Sequence, residues 1–430
     1  MGNHARRRAR SAGLLSPKGH DLPAIVLFRR YPRKAGCFAY ARDAYVTVRS
    51  MNAPPHPHPR RRKRRWQVRR DYCGPGAWLV GSAALGLMLS RYINYHPRPV
   101  ERVAPCNASG APTLGPVGRI TAMTFNVQFL AGTGYHFFYD SGPDTLVARN
   151  DIERVAAKVA AFLTNSAADL ILLQEVDCCA RRTAYMDQLA LLLAALPREL
   201  QNHAAAYYWK SKFVPHPKIL GSAGTRLVIL SRYRIDTARR YRLPHAPGNL
   251  IQRDFNLKRA ILEVDLPISN GSSLKILNTH LEAFPKGSDV MERQVQKLLE
   301  RLNLLTRMGQ PWILGGDLNL LPPGQATRLA PQNRGIHREP SALGPIYERY
   351  AGVPTISDAT GEEMQCFFTF TQKAGETRIP MRTLDYFFTS PAVKIERYVV
   401  PQHETMGVSD HLPLIADFAL LGKAEVGIMN

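Results

Sequence analysis

From Arg119 onward the chain alternates short, nearly continuous apolar runs with polar loops. The runs ITAMTFN, DLILLQEVD, AAYYWK, TRLVILS, RAILEVDL, LKILNTH, PWILGGDLN, FFTF, LDYFFTS, IERYVV and PLIADFAL are the right length for strands. Two stretches keep helical spacing instead. Residues 150–164 put Ile152, Val155, Ala156, Val159 and Leu163 on one face, and residues 288–307 do the same with Met291, Val295, Leu298, Leu302 and Leu305, behind Asp289 as a cap. Residues 183–195 are a further helix. Strands without polar alternation need cover on both faces. Many strands with few helices then predict an α/β fold built as a four-layer α/β/β/α sandwich, two packed mixed sheets with helices on the outer faces.

The polar residues that interrupt these runs form a coherent chemical set. TAMTFN ends at Asn126, LILLQE at Glu175, LKILNTH at Thr279 and His280, and WILGGDLN at Asp317 and Asn319. Asp385 lies near the start of LDYFFTS, and Ser409, Asp410 and His411 stand just before the last strand. Each fragment alone reads as a turn, a cap or a satisfied core histidine. Glu175 is the hardest to dismiss, because an unpaired buried carboxylate is costly. Together they supply what metal-assisted phosphoester hydrolysis requires. Mg²⁺, with Mn²⁺ as a substitute, takes one or two carboxylates and water; Glu175 suits that role, with Asp410 second. Asp317 would orient an attacking water. Asn126, Asn319 and His280 would donate to the phosphoryl oxygens, and Asp385 would hold His411 in its charged form. Gly315 and Gly316 would let the backbone pass close to the site, and strand alternation would put Asp317 and Asn319 on one face.

The ordered set TFNVQ, LLQEVD, NTHLEA, GGDLN, LDYFF and SDHLPL resembles the endonuclease/exonuclease/phosphatase superfamily, over about residues 118–420. That resemblance implies the four-layer sandwich, a Mg²⁺ requirement and hydrolysis of phosphoesters by an activated water. It implies that Glu175 is the metal glutamate, that Asn126, His280, Asp317 and Asn319 surround the phosphate, and that Asp385 supports the terminal pair Asp410 and His411. No position of the pattern is missing.

Charge changes the picture only at the N-terminus. The net charge is +23, from 57 basic and 34 acidic residues, yet residues 1–73 alone hold 19 of the former and 3 of the latter. The remainder is only mildly basic. A Pro-rich, charge-blocked tail buries too little apolar surface to order itself, so 1–73 is expected to be disordered, with Met51 an alternative start. Residues 74–90 then run without a charge behind a dense basic cluster. They are expected to form an uncleaved transmembrane signal anchor, with a cleaved signal peptide as the alternative. Residues 91–117 read as a linker, 118–422 as the catalytic domain and 423–430 as a tail. On that reading the protein is a monomer held at a membrane, its catalytic domain outside the cytoplasm (periplasmic in a bacterium), or else secreted.

Three loops mix aromatic and basic residues: 129–145, 207–224 and 245–259. They suit either a membrane interface or the stacking of nucleobases. A tethered domain meets lipid, so a lipid headgroup or small exported phosphoester is the favoured substrate, with DNA or RNA second. A binding module using the same basic loops on anionic partners is the third reading.

Overall fold

The computed structural model describes residues 75–421, apart from 117, 284–286 and 375–376. The tails expected over 1–73 and 423–430 lie outside the described residues. The strands are β1 (Val100–Val103), β2 (Arg119–Asn126), β3 (Leu170–Asp177), β4 (Asn202–Val214), β5 (Gly221–Ser231), β6 (Thr237–Arg242), β7 (Ala260–Pro267), β8 (Ser273–His280), β9 (Trp312–Asp317), β10 (Ala351–Val353), β11 (Phe370–Ala374), β12 (Thr377–Arg382), β13 (Asp385–Thr389), β14 (Val393–Val399) and β15 (Leu414–Leu420). The main helices are α1 (Pro75–Ile93), α2 (Arg149–Asn165), α3 (Gln188–Ala195), α4 (Leu250–Phe255) and α5 (Val290–Arg307).

Two sheets carry the fold, one in the order β14-β15-β2-β3-β5-β4 and the other β1-β6-β7-β8-β9-β13-β10. Both are mixed, with one parallel pair each, β2 with β3 and β8 with β9. Their inner faces share one core, in which Leu170, Leu172, Ile229 and Phe418 meet Leu262, Ile276, Ile313 and Phe387. The outer face of the first sheet packs Ile171 and Leu173 on Val155 and Val159 of α2 and Leu192 of α3. The outer face of the second packs Leu277, Leu314 and Phe388 with Val295, Leu298 and Leu302 of α5. These are the four expected layers, with central strands such as β3, β9 and β13 buried on both sides and the edge strands β1 and β14 partly exposed.

The arrangement of strands explains where the polar residues go. A parallel pair delivers two C-terminal ends to the same edge of its sheet, and antiparallel neighbours deliver their starts to that edge. The first sheet thus offers Asn126 and Glu175 as strand ends, with 409–411 just ahead of β15. The second offers His280 and Asp317 as ends, with Asp385 as the start of β13.

Several local expectations give way. The 207–224 stretch is mostly strand, because β4 and β5 form a hairpin whose connection is only 215–220. FFTF is mostly irregular: Phe367 ends a 3-10 turn, Phe368 and Thr369 are extended connection, and strand begins only at Phe370. Asp289 precedes α5 without capping it; its carboxylate accepts from Arg293 instead. Residues 91–117 are not a free linker: β1 extends the second sheet beside β6, and Leu114 is buried against Ile268. β6 was invisible because its sequence is TARRYR, yet Arg240 turns inward and donates to the carbonyls of Tyr207 and Lys258.

The expected membrane span is also corrected. The run does form a helix, α1, but no helix among the described residues is long and apolar enough to cross a membrane. Glycines 76, 81 and 86 and serines 82 and 90 dilute it, and Arg91 closes it. Its C-terminal end is pinned to the domain, where buried Ser90 donates to Asp254 at 2.6 Å and Asn94 donates to the Ser90 carbonyl.

Gly316 tests the close packing under the strand ends. Its φ is +152°, and a Cβ there would lie 2.1 Å from the Thr279 carbonyl oxygen on the neighbouring strand. Both atoms belong to backbone that pairs in register. Gly316→Ala should therefore cost roughly 2–5 kcal/mol of stability, from overpacking plus a strained dihedral, read as a lowered midpoint in urea.

Candidate active site

Glu175 faces the cleft through a local break in the strand. Strict alternation would put it on the outer face with Ile171 and Leu173. The β3–β5 ladder instead slips between Leu173 and Val176, so Val176 takes the outer position. Glu175 adopts φ +59° within that bulge and its carboxylate turns into the cleft. Bulges re-aim side chains in this way beside functional sites. Below it, buried Gln174 donates to Thr124 and to Asn278 of the opposite sheet, and Asn278 donates to the Leu173 and Val228 carbonyls. This polar pin fixes the separation of the two sheets directly under the site.

Asn126 joins the two carboxylates across that seam. Its amide nitrogen donates to Glu175 Oε1 at 3.2 Å and to Asp317 Oδ2 at 3.0 Å, while its oxygen accepts from the backbone of Gln128. Asp317 is buried, accepts from the Asn319 backbone at 3.0 Å, and has His280 Nε2 at 3.4 Å and His411 Nε2 at 3.6 Å. His411 Nδ1 meets Asp385 Oδ2 at 2.8 Å. Asn319 is reached differently from the sequence expectation. β9 stops at Asp317, so alternation does not carry further; Asn319 instead takes a left-handed φ of +51° and donates to the Leu281 carbonyl. The structure thus gathers Asn126, Glu175, His280, Asp317, Asp385 and His411 through direct contacts. Asp410 is tied in by its backbone N–H to Gln128 and by Ser409, whose hydroxyl also donates to the Asn126 carbonyl.

The electrostatics separate the two histidines. Burial, together with the positive charges of Arg259 and His411, holds His280 well below the usual imidazole range, so it is neutral. Burial alone would push His411 down as well, but the carboxylates of Asp385, Asp317 and Asp410 outweigh it and hold the ring up to about 10. Burial pushes the Asp317 carboxyl up to about 7, against the pull of His411. One imidazolium and one neutral ring therefore flank the same carboxyl group. The His411 proton stays on below about pH 10 and is lost as pH rises through that value. Asp385→Asn removes the largest raising influence, so the alkaline fall of kcat/KM should move to lower pH in that variant. An unmoved limb would assign the titration to another group.

The donor set fits a hard divalent cation. Glu175 and Asp410 are both raised, chiefly by burial, and the negative charge of Glu175 raises Asp410 further. Neighbouring carboxylates pushed up in this way are stabilised by a cation between them. Another set of potential ligand atoms, on Asp317, Asp385 and His411, lies within 4.8 Å of one another. There the ring nitrogen of His411 is already committed to Asp385, which marks a hydrogen-bonded relay. Glu175 and Asp410 are thus the residues that would hold the ion. When bound, such an ion neutralises charge developing on phosphoryl oxygens and lowers the pKa of a bound water.

Sequence reasoning missed Arg259 and Tyr208. Tyr208 places its hydroxyl 3.4 Å from His280 Nδ1, and Arg259 lies just ahead of β7, at the edge where Asp385 begins β13. The available signal was positional: strand starts, and not only strand ends, point into this cleft. The cleft itself is a cavity of about 260 Å³ beside Glu175, walled by Phe138 and Tyr139 from 129–145, Tyr208 and Trp209 from β4, and 255–257 at the C-terminal end of α4. Much of the 129–145 aromatic set is core instead, with Phe129 and Phe137 fully buried edge to face.

A carboxyl group flanked by a charged and a neutral imidazole, beside a carboxylate cation site at the meeting edge of two sheets, defines a metal-dependent phosphoester hydrolase. The chain belongs to the Endonuclease/Exonuclease/phosphatase family, whose model matches residues 123–411. Among solved structures it is similar to an endonuclease/exonuclease/phosphatase from Beutenbergia cavernae, with 21% identity over 71% of this chain and 72% of that one, at a TM-score of 0.48. It is also similar to the human Nocturnin catalytic domain with bound sulfate (18% identity, 72% and 95% covered, TM-score 0.44) and to TDP2 from Caenorhabditis elegans (16%, 81% and 82%, TM-score 0.41). No curated protein matches the chain.

Proposed function

We propose that the protein is a Mg²⁺-dependent hydrolase of phosphodiesters or phosphomonoesters, acting on a lipid headgroup or a small exported phosphoester beside a membrane. Asp317 orients and deprotonates the attacking water; Asn126, Asn319 and His280 donate to the phosphoryl oxygens; His411, held charged by Asp385, supplies a proton on the side where charge accumulates. The observation that supports the lipid reading is the relation of α1 to the cleft. Val80, Leu85, Met88 and Leu89 of α1 are exposed, as are Leu250 and Ile251 of α4, to which α1 is tied through Ser90 and Asp254. The residues that follow α4, Asn256 and Leu257, wall the cleft beside Glu175. An apolar surface leading to the cleft mouth suits immersion in the headgroup region, which needs no span.

A second reading, a nuclease, is favoured by the outer rim. There His216 stacks on Phe138 with ring centroids 5.6 Å apart, and Lys218 lies 5.3 Å from the same ring. Such aromatic and basic surfaces stack bases. A Mg²⁺ panel of phospholipid vesicles, inositol phosphates, RNA and plasmid DNA decides between them. Headgroup or phosphate release from the first two is the expected result; nicked plasmid without lipid turnover reverses the order.

A further inference from the structure

Arg259 stands out among the buried arginines of the described residues. It is 4% exposed, yet Nε and Nη1 have no partner. Nη2 lies 3.9 Å from Glu282 Oε1, beyond hydrogen-bond length. The other two buried arginines each leave one nitrogen unpaired but are anchored by hydrogen bonds, Arg226 to Asp187 and Arg240 to two carbonyls, whereas Arg259 makes none. Arg259 lies over Tyr208, its guanidinium carbon 5.2 Å from the ring centroid, and borders the cavity that also holds Glu175. A buried guanidinium without acceptors is costly, so its acceptors arrive with a ligand. Guanidinium edges match phosphate and carboxylate oxygens two at a time.

The position of Arg259 separates it from the hydrolytic residues. β7 and β8 pair with Ile261 opposite Thr279, which sets Arg259 one strand beyond His280, on the side away from Asp317 and Asp385. Across the cavity stands Arg182, its charge already shared with Asp177 through two hydrogen bonds. We propose that Arg259 binds a second acidic group of the substrate, a phosphate or carboxylate adjoining the phosphoester that is cleaved. This rests on the phosphoester reading above and narrows it. A zwitterionic headgroup would put a quaternary ammonium between two guanidinium groups, and is disfavoured; polyanionic headgroups and nucleotides fit.

Equilibrium binding tests this without turnover. Calorimetry on the full chain in EDTA would compare inositol 1,4-bisphosphate with inositol 1-phosphate, and thymidine 3′,5′-bisphosphate with thymidine 5′-monophosphate. In at least one pair the bisphosphate should bind about tenfold or more tightly, and the pair showing it names the source of the acidic group. Arg259→Gln should reduce that ratio to near one, and Arg259→Lys should keep part of it. The ratio is insensitive to a general loss of folded protein. No preference in either pair, or an unchanged ratio in Arg259→Gln, overturns the proposal. If the preference is present but no phosphoester is ever turned over, the functional reading fails while this subsite stands. Turnover without the preference fails this inference alone.

Discussion

Asp317→Ala lowers kcat by roughly 10²–10⁴-fold, the usual contribution of a positioned general base. Asp317 is the point at which both sheets and both histidines meet, through Asn126, Asn319, His280 and His411. No neighbouring carboxylate can replace it, since Asp385 is turned to His411 and Glu175 to the cleft. On the proposed role, in which the Asp317 carboxylate acts on the water and not on substrate binding, the loss should appear in kcat more than in KM. Stability should respond in the opposite sense. The folded carboxyl group is raised to about 7, so in the metal-free protein it holds its proton where the unfolded chain has lost it. Stability from this group is therefore present below the ordinary aspartate range and falls as pH rises towards 7. Asp317→Asn removes that loss, so urea midpoints of variant and native protein should separate in favour of the variant as pH rises from about 4 to about 7. A variant that loses stability and activity together would mark Asp317 as structural.

Glu175→Gln should cost about a thousandfold in rate, equivalent to about 4 kcal/mol of transition-state charge stabilisation. The amide would keep the shape of the side chain and its contact with Asn126 while removing the charge proposed to hold the ion. The diagnostic readout is the Mg²⁺ titration: half-activation should shift to much higher concentration, and calorimetric binding of Mg²⁺ should weaken in parallel. Normal Mg²⁺ dependence in this variant would place the ion elsewhere, with Asp317, Asp385 and His411 the alternative set.

The reaction class is legible in the linear order of residues. Apolar runs without alternation demanded two covered sheets, and their polar interruptions named Asn126, Glu175, His280, Asp317, Asp385 and His411, because a short list of side chains suffices for phosphoester hydrolysis. Those features are local in the chain, so they can be read locally. Three others were not. The bulge that turns Glu175 into the cleft is a slip of register between β3 and β5, a property of two strands and not of one. β6 hides an inward arginine whose acceptors are carbonyls distant in sequence. The apolar run of 74–90 carries no sign that its end is hydrogen-bonded to Asp254, 164 residues away. Tertiary structure also decided which strand starts join the strand ends, since one parallel pair per sheet brings both kinds of terminus to a single edge. That is why Arg259, unremarkable as the residue before an apolar run, stands beside His280 with unpaired nitrogens facing the cleft. Pairing across strands sets which charges share a low-dielectric space, and this sharing, absent from the linear order, fixes what the site can bind.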